Sequence, residues 1–348
     1  MEELKTHSLR TVDWKDNKVI MIDQTKLPNK LEYVEYSDYH DVANAIKTMI
    51  VRGAPAIGVS GAFGLALAAI QSKATTKEDL IKDLKEARQI LFSTRPTAVN
   101  LKWGLDKIME IAKKGSDVST MRNSIIEEAK KIAEDDIKTN ISMGKFGSEL
   151  FNDNDTIMTH CNAGALATVA YGTALGVIRA TKDAGKKIKV IVTETRPMQQ
   201  GSRLTAFELK HDGIDVSLIS DTAVGYTMAN RLVNKVIVGA DRILRTGHVF
   251  NKIGTYQVAT MAKRHGIPFY VAAPLSTFDL QSNPEDVIIE QRNAHEVTHI
   301  GDKKTAPDDI NVINPAFDMT PPELITGIIT EAGIAKPPFD ESIKKLFE

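Results

Sequence analysis

The sequence predicts an α/β protein. A Rossmann-like C-terminal domain built on a parallel sheet follows a smaller N-terminal domain of antiparallel strands plus helices. Three observations carry this. Residues 8–36 alternate apolar and polar side chains, the period of strands. From about Tyr39 to Asn140 apolar residues recur at helical spacing. After Asn152-Asp153-Asn154-Asp155, short apolar runs alternate with helical ones, the rhythm of βαβ units around a parallel sheet.

Taken in order, Val19–Ile22 and Leu31–Tyr36 read as strands of a small antiparallel sheet, with a turn at Asp16-Asn17. Helices are expected over 40–50, 55–72, 76–92, 97–114 and 117–140. In the last of these, Met121, Ile125, Ala129 and Ile132 mark one face. Strands follow at 156–159, 188–192, 215–219, 235–239 and 268–273, with helices at 166–182, 199–211, 222–231 and 255–265. The chain of 348 residues fits two domains, 1–145 and 146–348, with the boundary between 140 and 155.

Composition narrows the function classes. A net charge of −1 leaves no basic footprint for nucleic acid. The single cysteine excludes an internal disulfide and a thiolate-rich metal site, and suits a reducing, cytoplasmic setting. Met1-Glu2-Glu3-Leu4-Lys5 is polar, with no signal-peptide core behind it. Ala54–Ile70 is nearly all apolar or small, yet shorter than the ~20 residues of a spanning helix. Gly58, Gly61 and Gly64 form a stripe along it that lets another backbone approach, so it is expected to be a buried core helix and not a membrane span.

Candidate chemistry sits at strand ends. Thr159-His160-Cys161-Asn162-Ala163-Gly164 follows an apolar run and opens a small-residue turn. Lys235-Val236-Ile237-Val238-Gly239-Ala240-Asp241-Arg242 repeats the arrangement with an acid at the end. Ligands of open α/β sheets bind outside the carboxyl ends of the strands, so Cys161 and Asp241 form the candidate acid/base pair. Amide dipoles at such a turn lower a thiol pKa; a buried cysteine packed as a small hydrophobe is the alternative. A carboxylate after an apolar strand is expected to be partly desolvated, which favours its protonated form; a salt bridge to Arg242 is the alternative. His160 points away from Cys161 by strand alternation and reads as a structural hydrogen-bonding group.

Three arginines precede a proline that could start a helix: Arg52-Gly53-Ala54-Pro55, Arg95-Pro96 and Arg196-Pro197. A guanidinium beside free helix N–H groups is a phosphate site; a carboxylate partner for each arginine is the alternative. Gly53-Ala54 leaves its amides unshielded, which makes that site the stronger, whereas Glu194 could hold Arg196. Asn251 and Lys252, just before a helix, could bind a phosphate or sugar hydroxyl, or belong to a solvated loop. The sequence contains no Walker loop, dinucleotide fingerprint, nucleophile elbow or metal-ligand spacing.

Together these motifs resemble the methylthioribose-1-phosphate isomerases, in the superfamily that includes the α, β and δ regulatory subunits of translation initiation factor 2B. The resemblance runs through Asp23-Gln24-Thr25-Lys26-Leu27-Pro28, Val51–Gly58, Thr94–Leu101, Thr159–Gly164, Glu194–Gly201, Gly239–Arg242, Asn251–Thr255 and Asn314–Asp318. It implies a homodimeric enzyme of methionine salvage, with no metal or cofactor, acting on a small phosphorylated sugar. It carries catalytic roles onto Cys161 and Asp241 and substrate contacts onto Arg52, Gly53, Ala54, Arg95, Gln200, Asn251 and Lys252. Gln200 follows from the resemblance alone. The chemistry it implies is an aldose–ketose isomerisation in which phosphate on the anomeric oxygen blocks simple ring opening. Asp241 would protonate the ring oxygen, and Cys161 would act at C1 and C2. Isomerases of ribose 1,5-bisphosphate or 5-deoxyribose 1-phosphate, and a non-catalytic ligand-sensing subunit, are the alternatives.

Overall fold

The structure is a computed structural model that describes residues 9–96 and 98–348. The polar start Met1–Lys5, the first residue of the alternating run and Thr97 lie outside the described residues. The chain divides into two compact units, Met1–Ile141 with Gly164–Gly172, and Ser142–Ala163 with Thr173–Glu348.

The first unit opens with the antiparallel strands β1 (Val12–Lys15), β2 (Lys18–Ile22) and β3 (Tyr33–Tyr36). Asp16 and Asn17 have φ of 51° and 57°, the left-handed pair that a two-residue hairpin requires to match strand twist. Helices follow: α1 (Tyr39–Lys47), α2 (Ala54–Gln71), α3 (Lys77–Ser93), α4 (Val99–Lys114) and α5 (Val118–Ser148), the last belonging to this unit as far as Ile141. The Asp38 side chain caps α1 through the His40 N–H, and Thr76 caps α3 through the Asp79 N–H.

Helix α2 is long and apolar enough to cross a membrane by length and composition, but every residue from Ala56 to Ala69 is buried within this unit. Its glycine stripe explains the packing. A Cβ at Gly58 would lie 2.8 Å from the Asn100 carbonyl oxygen, and one at Gly104 would lie 2.4 Å from that of Gly58. Helices α2 and α4 therefore meet backbone to backbone at Gly58, whereas Gly61 and Gly64 make room for the side chains of Leu101 and Leu91.

The helix expected over 166–182 is corrected. Only a short 3-10 turn, Ala165–Ala167, forms there, and the true helix begins at Ala174. The intervening backbone finds its partners elsewhere in the first unit. Thr11 donates its N–H to Val169 O (2.8 Å) and its hydroxyl to Ala165 O (2.7 Å). Gln24 donates to Leu166 O (2.8 Å). Tyr171 and Gly172, with φ of 70° and 85°, then break the path before the helix starts.

The second unit runs β4 (Thr156–Thr159), α6 (Ala174–Asp183), β5 (Lys189–Thr193), α7 (Ala206–His211), β6 (Asp215–Ile219), α8 (Val224–Ala229) and β7 (Lys235–Val238). It continues through β8 (Arg242–Leu244), β9 (Val249–Lys252), α9 (Thr255–Arg264), β10 (Phe269–Ala272) and β11 (Phe278–Asp279). The remainder is α10 (His295–Thr298), β12 (His299–Ile300), β13 (Lys303–Lys304), β14 (Phe317–Thr320), β15 (Gly327–Thr330), β16 (Gly333–Ala335) and α11 (Phe339–Lys345).

Its main sheet has the order β6-β5-β4-β7-β10-β15-β16, parallel throughout except for β16. The chain winds outward from β4 to β6, then returns to the other side of β4 as β7. Strand order reverses there, which makes the crevice between β4 and β7 the switch point of a doubly wound sheet. Both faces are covered. Val236 and Val238 of β7 enter one apolar cluster with Val258 and Phe269; Ile237 enters the other with Leu175 and Val190. A second sheet, β11-β8-β9-β14, lies outside the sequence expectation. Its strands span two to four residues and lack the long alternation that marks a strand in sequence.

Candidate active site

Cys161 and Asp241 follow the two strands that flank the switch point. Met158 pairs with Val236, so the ends of β4 and β7, which lead into Cys161 and Asp241, lie side by side. A Cβ on Gly239 would come within 2.7 Å of the Ala163 side chain, so the loops leaving β4 and β7 pack tightly. Asp241 lies two residues beyond.

Cys161 is buried and left-handed, with φ of 65°. Its N–H donates to Thr195 Oγ1 (2.9 Å), and its carbonyl accepts from the Thr205 hydroxyl (2.6 Å). Beside it, the Asn162 amide donates to Glu208 Oε1 (2.8 Å) and Thr205 Oγ1 (3.2 Å). Glu208 and Asp212 share Arg179, at 2.8 and 2.6 Å, in a buried three-charge cluster. One guanidinium thus serves two carboxylates, and burial pushes the Asp212 carboxyl above its ordinary range.

His160 is structural, as its alternation suggests. Nε2 faces the Ile253 carbonyl (2.9 Å), which can only accept, so Nε2 carries the proton. Nδ1 then accepts from the Thr193 hydroxyl (2.7 Å). Burial pushes the imidazole pKa down, which keeps this neutral form. Gly254 accommodates the ring, since a Cβ there would lie 2.9 Å from Cε1.

After β5 the chain makes a tight, unusual turn. Thr195 and Gln199 are left-handed, with φ of 62° and 55°. The Asp221 carboxylate accepts the N–H groups of Thr195 (2.8 Å) and Arg196 (2.7 Å). A π-helical turn, Gly201–Thr205, then leads into α7. Gln200, at its start, is buried, and its side-chain oxygen has no partner among the described residues. An acceptor left unsatisfied in a folded interior is costly.

Arg196 is not the phosphate site that its Arg-Pro setting allowed, nor is it held by Glu194. Its guanidinium donates to Pro197 O (2.9 Å) and to Val297 O (3.1 Å) at the end of α10. Backbone carbonyls take the donors an anion would need.

Asp241 is exposed, which corrects the expectation of a partly desolvated carboxylate. The β7 strand ends at Val238, and the Asp241 N–H joins Phe250 O (2.9 Å) where the β8–β9 hairpin begins. That hairpin carries the acid out of the sheet core. Arg242 pairs with Asp279 (3.1 Å) instead of Asp241.

Asn251 and Lys252 belong to β9, paired with Asp318 and Phe317, and not to a solvated loop. Asn251 donates to Thr255 Oγ1 (3.1 Å). Lys252 reaches Ala316 O (2.9 Å) and lies 4.7 Å from the centre of the Phe317 ring, a cation–π distance. Asp318 accepts the N–H groups of Gly254 (2.7 Å) and Tyr256 (3.1 Å) and so caps α9. Burial pushes its carboxyl up to about 6 despite those two bonds.

In the first unit, Arg52, Gly53 and Ala54 form the N-terminus of α2, where Gly53 is the cap with φ of 97°. A Cβ on Gly53 would lie 2.4 Å from Ala167 Cα, so glycine is required by both conformation and space. Arg52 and Arg95 are half-buried. Among the described residues, no group of three or more His, Cys, Asp or Glu could hold a metal ion.

The model of the initiation factor 2 subunit family matches residues 50–337. The chain belongs to that family. Over 339 residues it is 54% identical to a methylthioribose-1-phosphate isomerase of Thermosipho africanus, covering 97% of this chain and 98% of that protein. It superposes on the crystal structure of 5-methylthioribose 1-phosphate isomerase from Pyrococcus horikoshii with a TM-score of 0.93 at 46% identity, covering 97% and 95% of the two chains. A structure from A. fulgidus described as translation initiation factor eIF-2B, subunit delta, has a TM-score of 0.90 at 50% identity, covering 97% and 99%.

Within this initiation factor 2 family member, reading the residues alone left out the groups that support the cysteine. Thr195, Thr205, Glu208 and Asp221 act through contacts 25 to 46 residues apart along the chain. Gln200 carried no signal of its own in sequence.

Proposed function

We propose that the protein converts 5-methylthioribose 1-phosphate to 5-methylthioribulose 1-phosphate, in methionine salvage, with Asp241 as proton donor and Cys161 acting at C1 and C2. The observation that supports the reading is that β4 and β7, the adjacent parallel strands at the switch point, lead into the loops that carry Cys161 and Asp241. Whole-length identity to proteins named for this activity supports it.

The reaction moves hydrogen between neighbouring carbons. C2 is oxidised as C1 is reduced, so no external redox cofactor is needed. Because the anomeric oxygen bears phosphate, the ring C–O bond must break with protonation of the ring oxygen. Asp241 supplies that proton. A phosphorylated ligand beside it displaces water and brings negative charge, and both favour the protonated carboxyl. The hydrogen then moves by one of two routes. As thiolate, Cys161 takes the C2 proton and returns it to C1; alternatively, a hydride passes directly in a cavity that the cysteine helps keep dry. Arg52, Gly53, Ala54, Arg95, Gln200, Asn251 and Lys252 are the proposed substrate contacts. Cationic side chains and helix amides suit the phosphate, and Gln200 suits a sugar hydroxyl. We take the active form to be a cytoplasmic homodimer.

The test is a phosphorus and proton NMR time course with 5-methylthioribose 1-phosphate beside 5-deoxyribose 1-phosphate and ribose 1,5-bisphosphate. Ketose formed fastest from the methylthio sugar supports the proposal. Run in deuterium oxide, label at C1 of the product selects the proton relay over the direct hydride shift. The resemblance to the structure described as an eIF-2B delta subunit favours a second reading, a ligand-sensing subunit. Binding without turnover of any of the three sugars would select it.

A further inference from the structure

The peptide groups on both sides of Cys161 are held by buried hydroxyls of fixed polarity. The Thr193 proton goes to His160 Nδ1 (2.7 Å), so the Thr195 hydroxyl donates to Thr193 O or Thr193 Oγ1, both at 3.2 Å, and either bond leaves its oxygen to accept the Cys161 N–H (2.9 Å). The Asn162 amide occupies the Thr205 oxygen (3.2 Å), and the Thr205 proton goes to Cys161 O (2.6 Å). Neither threonine is exposed to solvent.

The arrangement is strained and tightly enclosed. Cys161 and Thr195 both sit at positive φ, 65° and 62°. For a β-branched residue such as threonine that conformation is a genuine outlier, maintained only where the surroundings over-determine it. Gly201 supplies part of that enclosure. A Cβ there would lie 1.8 Å from Thr193 O and 2.9 Å from Thr195 Oγ1. Thr205 closes the other side from the π-helical turn, an element found often at functional sites. With both flanking peptide planes pinned, the thiol of Cys161 retains one rotatable bond.

We propose that Thr195 and Thr205 are positioning residues for the isomerisation, aiming the Cys161 thiol through its own backbone. This rests on the role proposed above for Cys161. Neither threonine needs to touch the substrate. Their effect should fall on turnover and on thiol reactivity, and not on substrate affinity.

The experiment compares Thr195→Val, Thr195→Ser, Thr205→Val, Thr205→Ser and Cys161→Ser in the full-length protein. It measures kcat and KM for 5-methylthioribose 1-phosphate, the urea midpoint, and iodoacetamide alkylation against pH. The chain has one cysteine, so alkylation reports Cys161 alone. The valine variants should lose about tenfold or more in kcat with KM within about threefold, since misplacing a reacting group by about 1 Å costs up to ~100-fold. Their alkylation profile should shift, and the serine variants, which keep the hydroxyl, should restore both. Folded valine variants with wild-type kcat and alkylation would overturn the proposal, as would serine variants no better than valine. If one valine variant does not fold, the other carries the test; if neither folds, the threonines serve folding and the positioning role is overturned. Full turnover in Cys161→Ser would instead sink the catalytic reading of the cysteine. Loss in Cys161→Ser with wild-type turnover in both valine variants would sink the positioning role alone.

Discussion

Met158 on β4 and Val236 on β7 are direct register partners, and that pairing sets side by side the ends of the two strands that precede Cys161 and Asp241. If the two groups share one reaction, removing either should spare binding and stop chemistry. Cys161→Ser and Asp241→Asn should each lower turnover by roughly a hundredfold or more. Inorganic phosphate should still bind both variants, as read by titration calorimetry. Near-full turnover in either variant removes that residue from the mechanism.

Gln200 offers a test in which function and stability separate. Its buried side-chain oxygen has no partner among the described residues, so Gln200→Ala removes a desolvation cost from the free protein. The urea midpoint should hold or rise. KM for the sugar phosphate should rise about tenfold, the loss of one hydrogen bond worth about 1 kcal/mol or slightly more. A lowered midpoint with an unchanged KM would make Gln200 a structural residue.

The cap of α2 predicts a contrast between two glycines. Gly53 and Gly185 have similar φ, 97° and 83°, but a Cβ on Gly53 meets Ala167 backbone at 2.4 Å, whereas one on Gly185 meets nothing within 4 Å. Gly185→Ala should cost about 1–2 kcal/mol, the strain of the left-handed conformation alone. Gly53→Ala adds a backbone clash and should cost a further ~1–3 kcal/mol. Denaturant unfolding of the two variants measures the difference, and equal losses would show that the loop at Ala167 yields freely.

Asp136 gives the first unit a pH signature. Burial pushes its carboxyl up to about 7, although it accepts the Val169 N–H (2.8 Å) and the Asn140 amide (3.2 Å). The folded chain therefore holds a proton that the unfolded chain, with an ordinary carboxyl, releases near pH 4. The stability from this group is complete below about pH 4 and is lost as pH rises towards about 7. Asp136→Asn should flatten that part of the stability profile. An unchanged difference between pH 4.5 and 7.5 would place the proton elsewhere.

What the sequence determined by itself was local. Apolar β-branched runs with polar ends marked β4, β5, β6, β7 and β10 to within about a residue. Asp16-Asn17 marked a hairpin because few residue pairs accept two left-handed conformations in succession. The Arg52-Gly53-Ala54-Pro55 run marked the start of α2 through turn and capping chemistry. Each of these signals is complete within a few residues.

Tertiary structure decided whatever depends on a distant partner. Residues 164–172 could have extended a helix; Thr11, Gln24 and Asp136 draw them into the first unit instead. Asp241 looked like the end of a buried strand until the β8–β9 hairpin carried it outward. Arg196 had the local setting of an anion site, and carbonyls a hundred residues away took its donors. The left-handed geometry of Cys161 is held by Thr195 and Thr205, 34 and 44 residues downstream. Backbone periodicity is set by neighbours along the chain, but a buried polar group takes whichever partner the fold brings within about 3 Å.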